Sequence, residues 1–169
     1  MRREDSAETI RFCRNYLDAK PETGFVDSDF LPSSIKSLPA DLATLVNCAK
    51  GHLYAHHRRD KKLVYSRLST HIGNSLIVYY PKGDASSSPV YGSIQYIFSV
   101  DKEVRFAVHC HRPAVVSFDP FALYPHFPAK LCSSTMTELV VVDIDWVITH
   151  FVRWPFTGDY VVVLPLYRD

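Results

Sequence analysis

The run His109-Cys110-His111 places two imidazoles and a thiol, all metal-binding groups, at consecutive positions. The flanking sequence alternates as a strand does, so the imidazoles share one face and the thiol points to the other. A tetrahedral zinc site needs four converging ligands, commonly from CxxC or HxxxH spacings, and this cluster carries neither. A half-exposed strand face accounts for it, and no metal is expected.

Nucleophilic chemistry has little to build on. No G-x-S-x-G elbow, phosphate-binding P-loop or dinucleotide fingerprint occurs. Cys110 and Cys132 could each meet a histidine, but lone cysteines in apolar-rich strand sequence read as core thiols. Asp143 and Asp145 sit two apart, on one side of a strand, or else one of them caps a short helical turn. No catalytic residue or cofactor is expected, and the chain does not read as an enzyme.

Two segments could bind a partner. "HHRRDKK" (residues 56–62) is basic, and His57, Arg58, Arg59, Lys61 and Lys62 could contact phosphates. Phosphate contacts position a protein without reading sequence, so such binding would be weak and salt-sensitive. The simpler reading is a solvated connector. "SFDPFALYPHFP" (residues 117–128) carries Phe118, Phe121, Tyr124 and Phe127 at every third position, with prolines that bar a long helix or a central strand. Extended proline-rich backbone repeats about every three residues, so the rings would line one ridge. That ridge closes the end of a barrel, or it forms part of a peptide-binding groove. The mixed expectation is Phe121 and Phe127 inward, with Phe118 and Tyr124 outward beside Trp154 and Phe156.

Behind these segments, 169 residues suit one domain that buries roughly 70% of its unfolded surface. A hydrophobic fraction of 47% with 22% charged residues is globular, and a net charge of +1 gives no field to steer nucleic acid or a membrane. The N-terminus "MRREDSAETIRF" lacks the apolar run of a secretory signal, and "LVVV" and "YVVVLPL" are too short to span a bilayer. Four scattered cysteines read as free thiols in a reducing, intracellular setting.

Residues 5–19 predict a helix capped by Asp5, and about 38–50 a second, with Ser37 as cap, Pro39 in its first turn and Gly51 ending or bending it. From residue 62 the period becomes two. "KLVYSRLSTH", "NSLIVYYP", "YGSIQYIFSV", "EVRFAVHCHRP", "ELVVVDID" and "DYVVVLPLY" predict strands, with Ile94, Tyr96 and Phe98 sharing one face. "DIDWVITHF" predicts a single helical turn. The expected fold is α+β, mainly β: an N-terminal helical segment over 1–59, with two helices packed beside a small barrel of about five to seven strands over 60–169.

"YGSIQYIFSVDKEVRFAVHCHRPA" resembles the core of a bromo-adjacent homology (BAH) domain, a chromatin-associated β-barrel; His111-Arg112-Pro113 stands at its Tyr-Arg-Pro-like corner. The series from "YSRLSTH" through "DIDWVITHFVRW" to "VVLPLYRD" is similar to the C-terminal region of transposon-associated proteins from mushroom-forming fungi. The sequence departs from the pattern at Gly92-Ser93-Ile94, which lacks the usual basic residue, and at His111, which replaces an aromatic. The resemblance implies a nuclear, non-enzymatic interaction domain with a protein or peptide partner. It also makes an aromatic cage for a methylated ammonium group, held by cation–π attraction, a concrete form of the groove.

Overall fold

The computed structural model describes residues 35–59, 63–116, 119–124, 126–156 and 158–167; the helix expected over 5–19 lies outside them. The described chain is mainly β. Its strands are β1 (Lys36–Ser37), β2 (Lys50–Tyr54), β3 (His56–Arg59), β4 (Leu63–Ser66), β5 (Leu76–Tyr79), β6 (Val90–Val100), β7 (Glu103–Pro113), β8 (Lys130–Asp143), β9 (Val147–Pro155) and β10 (Tyr160–Pro165). Two short helices, α1 (Ala40–Val46) and α2 (Ile72–Ser75), accompany them.

Six strands close a ring in the order β6-β5-β9-β10-β8-β7, with β7 pairing back onto β6, every pair antiparallel. The long β6 serves two partners on one edge: β5 lies along its first half (Leu76 opposite Ser93) and β2 along its second (Leu53 opposite Phe98). Residues 50–59 were expected in the helical segment. They are strands instead: for β2 this distant pairing with β6 outweighs a local helical pattern that Leu53 happened to continue, while β3 pairs with its neighbour β4.

Helix α1 is correspondingly short. Pro39 is its N-cap, Ser37 belongs to β1, and Asn47 ends it in the left-handed conformation (φ 51°). Gly51 is a buried residue of β2 and does not end a helix. Leu42, fully buried, packs with Leu38, Phe98 and Ala107.

Alternation assigns the two faces of the wall. Ile77 and Tyr79 join one core with Ile94, Ile97, Phe106, Val108 and Val142, beneath Tyr65 of β4. Their neighbours Leu76 and Val78 join another with Tyr91, Cys132, Phe151 and Val163. The ring of His111 lies 6.2 Å from that of Phe151. β7 and β9 stand three places apart in the ring, so this contact crosses the lumen, and the second core is the barrel interior. Each fully buried large apolar side chain here contributes about 1.5–3 kcal/mol.

Register irregularities bend the wall. Ile94 faces Val108 while Tyr96 faces Ala107, so Gln95 is an extra residue in β6. Ile94 and Tyr96 therefore point to opposite faces, contrary to the simple alternation expected for this strand. The predicted helical turn "DIDWVITHF" is a 3-10 turn over Ile144–Trp146 only; from Val147 the chain is β9, a ring strand the sequence pattern did not reveal. Gly92 is required by close approach, since a Cβ there would lie 2.4 Å from Val108 Cγ1 and 3.0 Å from the His109 carbonyl oxygen.

Candidate binding surface

The His109-Cys110-His111 cluster diverges as alternation dictates. The Cys110 thiol is buried against the Tyr79 hydroxyl at 3.1 Å, and burial pushes both groups up in pKa. His109 Nδ1 donates to the Thr137 carbonyl at 2.8 Å. His111 lies in the lumen, where Nδ1 donates to the Ser133 carbonyl at 3.1 Å and Nε2 faces Arg153 Nη1 at 3.3 Å. Arginine only donates, so Nε2 must accept and the ring is the neutral Nδ1–H tautomer. Burial lowers the His111 pKa; the Ser133 carbonyl opposes this and Arg153 adds to it. Among the described residues, no three His, Cys, Asp or Glu side chains gather as a metal site.

The two aspartates serve the framework. Asp143 precedes the 3-10 turn without capping it through its side chain, and its carboxylate lies 3.0 Å from Arg105 Nε, off the N–H axis, as an ion pair. Glu103 pairs with the same guanidinium. Asp145 pairs with Arg59 at 3.3 Å.

The basic run is divided between faces. Arg59 Nη1 donates to the Ile144 and Val147 carbonyls at 3.1 and 3.3 Å, latching the β3–β4 hairpin to the β8–β9 connection. His57 turns towards Phe106, 6.2 Å between ring centres, and burial, then Arg59, lowers its pKa. Arg58 is exposed, and Lys61 and Lys62 lie outside the described residues. The structure thus does not gather His57, Arg58 and Arg59 onto one surface.

The aromatic segment joins β7 to β8. Asp119 Oδ1 accepts the Phe121 N–H at 2.9 Å and starts a 3-10 turn over Pro120–Leu123. Phe121 packs on Leu131 and Val162. These residues alternate with Cys132 and Val163 of the lumen, so the segment covers the outside of the wall over β8 and β10 and does not plug the barrel. Phe127, expected inward, is 47% exposed beside Phe121 at 6.1 Å, and Tyr124 is exposed as expected; Phe118 lies outside the described residues.

Next to this cover runs an apolar row. Val152 and Trp154 of β9 and Phe156 just beyond it alternate along the chain, each about 40% exposed, on the face that carries Val162 and Leu164 of β10. β5 pairs with β9 only as far as His150, so the row continues beyond it. The Phe156–Tyr160 and Leu166–His150 hydrogen bonds turn the even-numbered backbone groups of β9 to β10. Arg153 and Pro155 then turn their backbone away from β10, towards the side where α2 packs against β9, and Pro155 has no N–H to offer, which further blunts strand addition. A partner would meet side chains here more than backbone.

Comparison with known protein families, curated proteins and solved structures finds nothing that matches this chain. Among the described residues no helix is long and apolar enough to cross a membrane.

Of the surface residues expected from sequence, the structure places Trp154 and Phe156 in one row and Tyr124 on the neighbouring cover. Val152 was missed. Its two-residue spacing from Trp154 was readable, but only once Val147–Pro155 is recognised as a strand. Leu123, 66% exposed on the cover, carries no ring to distinguish it in the sequence.

Proposed function

We propose that this chain is a non-catalytic interaction domain that binds an extended segment of a protein partner over the outer face of β9. The observation that carries this reading is the row Val152, Trp154 and Phe156, exposed beside the apolar cover that presents Leu123, Tyr124 and Phe127. Monomeric surfaces rarely leave such residues contiguous without use. Trp and Tyr are the side chains that most often dominate binding energy at interfaces. The blunted edge directs recognition to side chains, and aromatic faces attract ammonium groups, so the favoured partner is a lysine-bearing peptide, methylated lysine included. The resemblance of residues 60–169 to BAH-type barrels supports a chromatin partner in the nucleus.

The test is an array of histone-tail peptides, modified and unmodified, followed by titration of any hit by fluorescence anisotropy. Trp154→Ala and Phe156→Ala, each checked for retained fold by circular dichroism, should weaken binding by at least about tenfold. Binding unchanged in both variants, or no peptide bound by the wild-type protein, would reject this surface. Affinity for DNA that survives both variants but falls in Arg58→Ala would transfer the function to the basic run.

A further inference from the structure

Val163 of β10 is flanked by Arg153 on β9 and by Lys130 on β8. Directly opposed residues share a face, so both cations lie on the lumen side of the wall at one level. Neither makes an ion pair among the described residues, where the pairs involve Arg59 and Arg105. Instead, Arg153 Nη1 meets the neutral His111 ring at 3.3 Å, and Lys130 Nζ lies 5.9 Å from the centre of the Tyr91 ring. Tyr91 is 5% exposed, and no hydrogen bond holds its hydroxyl among the described residues. That hydroxyl feels Tyr167 and then the Cys132 thiol electrostatically, and the Lys130 ammonium acts on the same thiol. Asp119 is the carboxylate that reaches the same thiol, and its Oδ1 is engaged by the Phe121 N–H.

We propose that this end of the lumen is an oxyanion-binding site, in which Arg153 and Lys130 hold a carboxylate or phosphate group and the Tyr91 hydroxyl donates a further hydrogen bond. A guanidinium against an imidazole and an ammonium against a ring are weakly partnered cations that an oxyanion would engage more strongly. His111 Nε2, by accepting from one N–H of Arg153, aims the guanidinium and leaves four other N–H donors. Phe151 and Val163 supply an apolar floor that strengthens the charged contacts. The site lies on the opposite face of β9 from the Trp154 row and does not depend on the peptide reading.

The probes are inorganic phosphate and acetate, titrated separately at constant ionic strength balanced with sodium chloride. Binding is read from the melting temperature and from the ring-proton NMR signals of His111. At least one anion should give a saturable response in both, and the one that does identifies the ligand as a phosphate or a carboxylate. Arg153→Gln and Lys130→Gln, both at exposed positions, should each weaken the midpoint by about tenfold or more, and Tyr91→Phe by about fivefold. Arg112→Gln removes the same charge from the adjacent position of β7, on its other face, and should leave the midpoint unchanged. No saturable response to either anion, or equal losses in Arg112→Gln and Arg153→Gln, would overturn the assignment.

Discussion

Replacing Arg59 by alanine separates a structural latch from a nucleic-acid contact. Its guanidinium makes two hydrogen bonds to carbonyls of the β8–β9 connection and one ion pair to Asp145. The contributions are unequal. Asp145 is 89% exposed, so the pair is worth about 0.5 kcal/mol at most. A charged donor to a carbonyl is worth about 1.5–3 kcal/mol when buried. The Arg59 side chain is 35% exposed and one bond is long, so the two together are reduced to about 2–3 kcal/mol. Arg59→Ala should therefore lower stability by about 2–3 kcal/mol, or melting by roughly 5–10 °C for a chain of this size. Asp145→Ala should change it by less than about 1 kcal/mol. Lysine at 59 keeps the charge but lacks the fork that reaches two carbonyls, so it should recover less than half of the loss. Urea denaturation followed by tryptophan fluorescence measures all three. Wild-type stability in Arg59→Ala, with a matching loss of DNA affinity, would refute the latch and make the run a phosphate contact.

Acidification should destabilise the fold before its carboxylates titrate. His57 and His111 have folded pKa values below the ordinary 6.5, so the unfolded chain takes up protons that the folded chain refuses. Their stabilising effect is complete above 6.5 and is lost as pH falls towards the folded values. Urea midpoints should drop between pH 7.5 and pH 5, less steeply in His111→Asn; a flat or rising profile would contradict the neutral tautomer. Gly92→Ala should cost about 2–4 kcal/mol, since its methyl would overlap Val108. Combined with Val108→Ala the loss should be smaller than the sum of the two, whereas strict additivity in a double-mutant cycle would show that the clash is relieved elsewhere.

The strand pattern made much of the barrel legible. In β7, Val104, Phe106, Val108 and Cys110 do face one way, and Arg105, Ala107, His109 and His111 the other, because both its faces are packed and the extra residues at its irregular pairings lie in β6 and β8. The pattern fails where pairing is non-local. Leu53 reads as a late helical position and becomes a strand only because Phe98 lies opposite it. Gln95 interrupts the period of β6 without any glycine or proline to announce the bulge. The β6–β7 turn is similarly silent: Asp101 and Lys102 both adopt positive φ, at 58° and 73°, without the glycine usual there. Among binding residues, Trp154 and Phe156 stood out as rings. Arg153, Lys130 and Tyr91 had no shared signal, since they come from three strands that meet only through closure of the ring.

That closure has a consequence for how the chain is made. The strand β9 is held between β5, made long before it, and β10, made after it, and β10 also supplies the partner for the start of β8. During synthesis β6, β7 and β8 can form a meander as they emerge, because each pairs with its sequence neighbour. The ring stays open until Tyr160–Pro165 arrives. Until then Leu131 and Cys132 sit on an unpaired edge, and the side chains that will line the lumen face water. Such edges seed intermolecular pairing, and distant pairings form slowly. For a nascent chain, the hazard at this edge persists until β10 is inserted.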